Sequence, residues 1–418
     1  VRADPYRRVL DVPGIRTLYG LALVARIPVT AVPTALTLRV VLGLHRGFAE
    51  SGLVVAASAI GTAVGAPLLG RLVDRRGPRA VLAVTTVCQA GFWTAAALLP
   101  YAWFVPAAFV GGVLSLPVFQ LARQSIASLL PLEDRQAGMS LDSMSIEVAF
   151  SIGPAAGVIA VTRLGSSVAM LVIGASMVAA GVALMILNPP IETGVTPAAE
   201  HGERSAATTS RSPFTTPVAV STLVATACAT FTLSGNDSAV AAAMRAFGHI
   251  GLLGVVIAVA CLASLIGGFV YGMLSRRHNP LVLLLFLATC SVLPFLAQSW
   301  WVLLILVIPA ALFCAPLLSA TAEVMSRVAP PAQRGRALGV HTSALTIGNA
   351  AGAPVAGIAI DRWSPAAGFA TIGAAGAAMA VVALALTGVQ KRRAAKAAEA
   401  PITYLPSQRS ATNGASHA

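Results

Sequence analysis

Apolar residues fall in twelve long runs separated by polar breaks, at 15–43, 52–70, 80–99, 104–128, 138–161, 166–188, 217–244, 250–273, 281–298, 301–326, 337–360 and 367–389. An α-helix needs about 20 apolar residues to cross the hydrocarbon core of a bilayer. Each run is therefore expected to be a membrane span, and the fold an all-α membrane protein of twelve transmembrane helices. Several runs contain Pro and Gly, as at Ile27-Pro28, Leu116-Pro117 and Ala315-Pro316. Membrane helices tolerate these where neighbours re-satisfy the freed backbone groups.

One break is longer than the rest. Asn188-Pro189-Pro190 stops a helix, and Glu192 to Arg211 is polar and rich in Ala, Ser and Thr. This reads as a flexible linker. The expected division is an N-terminal segment 1–13, a six-helix bundle 14–188, a linker 189–215, a second six-helix bundle 216–390, and a basic, disordered tail 391–418. The bundles repeat at an offset of about 200, with Pro131, Ala137, Pro154 and Gly157 answered by Pro331, Ala337, Pro354 and Gly357. Parallel repeats about an axis along the membrane normal are a transporter architecture, with the substrate site between them.

Composition agrees. Hydrophobic residues make up 57% and charged residues only 10% of 418, far from the about 25% charged of soluble domains. The formal net charge of +13 is a matter of topology, not of nucleic acid. Most Lys and Arg fall on the side of the N-terminus, in breaks holding Arg71, Arg75, Arg76, Arg79, Arg276, Arg277, Arg334 and Arg336, and in the tail. Only Arg39, Arg46, Arg163, Arg245 and Arg362 fall on the other side. The positive-inside rule then places both termini in the cytoplasm. Trp93, Trp103, Trp300, Trp301 and Trp363 are expected to form an interfacial belt at the outer face. The five cysteines lie in apolar runs without CxxC spacing and read as small buried hydrophobes. Ala and Arg are abundant and Lys391 and Lys396 are the only lysines, which suggests a bacterial inner (plasma) membrane.

Between the second and third runs stands Gly70-Arg71-Leu72-Val73-Asp74-Arg75-Arg76-Gly77-Pro78-Arg79-Ala80-Val81-Leu82. Its glycines allow close approach and a tight turn. Asp74 can face the positive end of a neighbouring helix. Arg75 and Arg79 can pair with carboxylates or lipid phosphates. The segment resembles the loop signature G-x-L-x-D-R-x-G-x-R-x-x-L of the major facilitator superfamily. That resemblance implies a latch closing the cytoplasmic side, built from Gly70, Asp74, Arg75, Gly77 and Arg79. The equivalent break in the second half, Gly272-Met273-Leu274-Ser275-Arg276-Arg277-His278-Asn279-Pro280, has lost the acid, so the latch is expected to be asymmetric. Leu130 to Ala137 and Pro331 to Gly339 also resemble family loops. Gly153, Pro154 and Gly157 resemble the core of the signature of the family's drug:proton antiporters, G-x8-G-x3-G-P-x2-G-G, whose other glycine positions hold Ser140, Ala149 and Val158 here.

Ionisable residues inside a membrane are functional candidates by default. The carboxylates are Asp142, Glu147, Asp237 and Glu323, and the cations Arg26 and Arg123. Arg123 and Glu323 hold equivalent positions of the repeat and are expected to pair across the inner gate; Asp142 is the local alternative partner of Arg123. Burial favours the protonated form of a carboxylate, which suits a proton carrier. Glu147 and Asp237 are the candidates, and Asp237 equally suits a cationic substrate. Arg26 is expected to lower a neighbour's pKa, to bind an anionic group, or to form a fixed pair with Glu147. His341 reads as a packed polar residue.

These features point to proton-coupled efflux of small hydrophobic or amphiphilic compounds by alternating access. Uptake symport of a small solute is the alternative, with a non-transporting receptor behind it. The partners expected are the substrate, protons and the lipid bilayer, with no nucleic acid, no cofactor, no metal, and a monomeric state. An enzyme is not expected, since HExxH and GxxxxGK[ST] are absent.

Overall fold

The computed structural model describes residues 4–46, 48–187, 216–249, 252–274 and 278–399. Among them every regular element is helical: α1 Asp4–Asp11, α2 Ile15–Leu38, α3 Phe48–Arg76, α4 Pro78–Leu98, α5 Tyr101–Val113, α6 Val118–Leu129, α7 Arg135–Leu164, α8 Ser166–Leu187, α9 Pro217–Ala246, α10 Leu253–Met273, α11 Pro280–Cys290, α12 Trp300–Leu306, α13 Ile308–Ala311, α14 Cys314–Val328, α15 Arg334–Arg362 and α16 Pro365–Glu399. Eleven segments are long and apolar enough to cross a membrane, and the ninth run is the shorter Pro280–Leu296.

Proline explains where runs break. Its ring clashes with the carbonyl four residues earlier and it has no N–H. Pro117 stands four residues after Val113, where α5 ends, and Pro294 four residues after Cys290, where α11 ends. The fourth run is thus two helices, and the ninth is a short helix followed by a 3-10 turn at Leu293–Leu296. The linker expected at 189–215 lies outside the described residues, as does 400–418. The helix α16 runs on to Glu399, past the boundary at which a disordered tail was expected to begin.

Within the first half α2 packs on α7 and α8, α3 on α5, and α4 on α8; within the second, α9 packs on α15 and α16, and α11 on α16. The halves join where α3 meets α15 and where α7 meets α10 and α14. Trp93, Phe104 and Leu121 anchor one core, and Leu284, Leu287 and Leu317 another. The outside is apolar as well: Val87, Leu98 and Ile186 are 73%, 79% and 77% exposed. Such a surface belongs in lipid, as expected of a multi-pass membrane protein. Trp103, Trp301 and Trp363 share that surface, but Trp93 is 1% exposed and donates its indole N–H to Gln89. It is a core residue and not part of the belt expected from sequence. The five cysteines are free.

Candidate functional site

Three layers of polar groups join the halves. The first lies at the end of the bundle where α3, α6, α10 and α14 terminate, here termed the basic end. Asp74, 7% exposed near the end of α3, accepts the backbone N–H groups of Gly335 and Arg336, each at 2.8 Å. Gln124 of α6 donates to the same carboxylate at 3.1 Å. A helix N-terminus leaves its first N–H groups without intrahelical partners and carries partial positive charge. Asp74 supplies α15 with both acceptor and counter-charge, and Gln333, the residue before α15, contributes no side-chain cap. The approach is possible because Gly70 lies against the carbonyl of Gly335; a Cβ at either position would collide with the other helix.

The remaining residues of this segment do different things. Gly77 has φ of +78°, which ends α3 and starts α4. Arg79 donates to the carbonyl of Met185 in the last turn of α8 at 3.3 Å. Arg75 is exposed.

On the other side of the basic end the chemistry is reversed. Gln136 of α7 donates to the carbonyls of Tyr271 and Leu274, at 2.7 and 3.0 Å, where α10 terminates. Tyr6 of α1 donates to the carbonyls of Phe269 and Gly268, at 2.6 and 3.1 Å, and stacks on Phe269. Arg8 ties α1 to Asp134 at 2.8 Å. The sequence reading missed Tyr6, although its spacing from Val9 gives α1 one buried face.

The second layer is a buried charge array. Asp142 takes Arg26 on one carboxylate oxygen and Arg123 on the other, the latter at 3.0 Å. Arg26 and Asp142 are 0% exposed and Arg123 3%. The Phe119 ring covers the Arg26 guanidinium, 5.1 Å from its centroid. Arg123 also reaches Nδ1 of His341 at 3.3 Å, and Nε2 of His341 lies 3.1 Å from the Thr321 hydroxyl. An arginine can only donate, so Nδ1 accepts and the ring proton sits on Nε2.

Two expected pairs are therefore not made. Arg123 meets Asp142 of its own half and His341 of the other, while Glu323 pairs with Arg327 one turn along its own helix at 3.5 Å. Arg26 meets Asp142 and Ser145 rather than Glu147. Asp142 lies level with both arginines, and the Glu147 carboxylate faces the other half.

The third layer contains Glu147. Its carboxylate accepts the Ser264 hydroxyl at 3.0 Å and the Cys314 thiol at 3.1 Å, both from the second half. Asp237, exposed on α9, stands close enough to Glu147 for their charges to interact. Ser151 reaches Cys261 at 3.2 Å. The two expected proton-coupling carboxylates thus sit on opposite halves, Glu147 on α7 and Asp237 on α9. Next to this layer, Gly153 lies against Thr30 and the carbonyl of Ile27, where a Cβ would not fit, and Gly157 faces Ala31. The segment around Pro154 is the close crossing of α7 and α2.

A cavity of about 860 Å³ opens at the opposite end, lined by residues including Arg245, Asp361 and Pro365. None of the groups of the three layers lines it.

The sequence profile of the Major Facilitator Superfamily matches residues 18–236 and 222–412. No curated protein matches the chain. Among solved structures, the human organic anion transporter MFSD10 (TETRAN) is 18% identical over 91% of this chain and 99% of its own, with TM-score 0.64. A bacterial homologue of the iron transporter ferroportin in an outward-facing state is 14% identical over 89% and 99%, with TM-score 0.66. The proton:xylose symporter XylE is 15% identical over 88% and 94%, with TM-score 0.63. At these identities the likeness establishes the fold.

Proposed function

The chain belongs to the major facilitator superfamily, and from that premise we propose that it is a secondary active transporter exporting small hydrophobic or amphiphilic compounds in exchange for protons. The observation that carries this reading is the position of Glu147. It is a carboxylate on the seam between the halves, and among the described residues its side chain is bonded to neutral donors of the other half. A group so placed can take a proton from one side and release it to the other as the halves rock. The resemblance of Gly153, Pro154 and Gly157 to the core of the drug:proton antiporter signature supports the antiport direction. In this reading the basic end is cytoplasmic, the protein works as a monomer in a bacterial plasma membrane, and Asp74 is the latch of the closed inner side.

The test is flux in liposomes holding a pH-sensitive dye. Gradients of lipophilic cations and hydrophobic antibiotics are imposed on the wild type, Glu147→Gln and Asp237→Asn. Proton and substrate are expected to move in opposite directions, with exchange lost in Glu147→Gln. Movement in the same direction would make the protein a symporter, and binding without flux would make it a receptor.

A further inference from the structure

The seam along α7 carries polar rungs to the second half: Ser143 with Ser319 at 2.9 Å, Glu147 with Ser264 and Cys314, and Ser151 with Cys261. Glu147 is the carboxylate among them. Ser264, 2% exposed, is itself held, because its oxygen accepts the Ala315 backbone N–H at 3.2 Å, which leaves its hydroxyl proton for Glu147. Cys314, 8% exposed, is the first residue of α14 and aims its thiol at the same carboxylate oxygen. Both donors belong to one half and their acceptor to the other.

We propose that Ser264 and Cys314 are positioning residues that make the joint between the halves read the charge of Glu147. The idea rests on Glu147 being the proton carrier. Ionised, the carboxylate accepts two charge-assisted bonds, which are roughly twice as strong as neutral ones. The joint then holds and the basic end stays closed. Protonated, the same group offers only neutral bonds, and the closed state loses its advantage. A proton entering from the opposite end thereby loosens the seam and turns the carboxylate toward the basic end, the order of events that exchange requires. The other titratable groups near Glu147 among the described residues are Cys261 on α10, bonded to Ser151 one turn along α7, and Asp237 on α9. On its own helix Asp142 is occupied by Arg26 and Arg123.

Hydrogen–deuterium exchange of the full chain in nanodiscs tests this, read at the peptides 130–140 and 266–274 between about pH 5 and about pH 8 and corrected for intrinsic exchange. The wild type is expected to open at these peptides by about tenfold on acidification, the equivalent of two weakened bonds. In the Ser264→Ala/Cys314→Ala double variant the response should shrink to about twofold or less, with exchange already raised at the alkaline end. Cys314→Ser, which keeps a donor, should retain the response. A double variant with the wild-type pH response would overturn the proposal. Glu147→Gln separates the two ideas in the liposome assay. If it still exchanges protons for substrate, the carrier assignment falls and this proposal with it. If it abolishes exchange while the double variant keeps its pH response, only the positioning role falls.

Discussion

The two joints at the basic end occupy equivalent places in the repeat and are built in opposite ways. Where α3 meets α15, a carboxylate, Asp74, caps the N-terminus of a helix in the other half. Where α7 meets α10, neutral donors, Gln136 and Tyr6, cap carbonyls at the end of a helix. Each uses the chemistry its helix terminus accepts, acceptors at the start and donors at the finish. The second-half segment lost its acid from sequence, and the N-terminal helix supplies a contact there instead. Gly272 belongs to that arrangement, since a Cβ would strike the Tyr6 hydroxyl and Ser140. Among the described residues, one joint thus uses a charge and its counterpart neutral hydrogen bonds.

The largest effect is expected between the joints, at Asp142. Asp142→Ala would leave Arg26 and Arg123 buried with no carboxylate between them. Breaking a buried pair by removing one partner costs about 3–5 kcal/mol. The variant should unfold at clearly lower temperature in detergent, and Asp142→Asn should recover part of the loss. Were Asp142→Ala as stable as the wild type, the array would be dispensable to the first half.

Asp74→Asn comes next and tests the charged joint directly. It keeps the size of the side chain and removes the charge that faces the α15 N-terminus. Hydrogen bonds to charged groups are worth about 1.5–3 kcal/mol, so the closed basic end should lose about tenfold or more in population. Exchange at the α15 N-terminus should rise, and transport should fall, with less change in unfolding temperature than Asp142→Ala gives. If Asp74→Asn behaves like the wild type, charge is irrelevant at this joint and the contrast between the two collapses.

The fold was legible because each span must hide its backbone in lipid, which forces long apolar runs. Where that logic met a local one, the reading slipped. Pro294 cut the ninth run short, and Trp93 at a membrane-facing depth turned inward to Gln89. The charge pairs were harder. Repeat symmetry makes Arg123 and Glu323 equivalent, which is not the same as adjacent, and nearer partners took both. Asp74 stood out in its motif, but the groups it meets in the other half are backbone N–H donors, which no side-chain pattern announces. The partners of Glu147 are a serine and a cysteine, so no complementary charge marked them in advance.

Tyr6→Phe has the smallest expected effect and sharpens the comparison most. The ring can still stack on Phe269, and only the bond to the α10 carbonyls goes. A neutral bond of this kind contributes about 0.5–1.5 kcal/mol, so the basic end should open by several-fold at most, without loss of folding. The pH dependence carries the decision. Burial pushes the pKa of the Tyr6 hydroxyl up from its ordinary value, which is about 10. A group whose folded pKa is raised contributes fully below the unfolded value and loses its contribution as pH rises through the folded one. Between about pH 5 and about pH 8 the difference between wild type and Tyr6→Phe should therefore be constant. A difference that changed across that window would mean the second joint also reads a charge, with Arg8 and Asp134 the nearest pair to carry it.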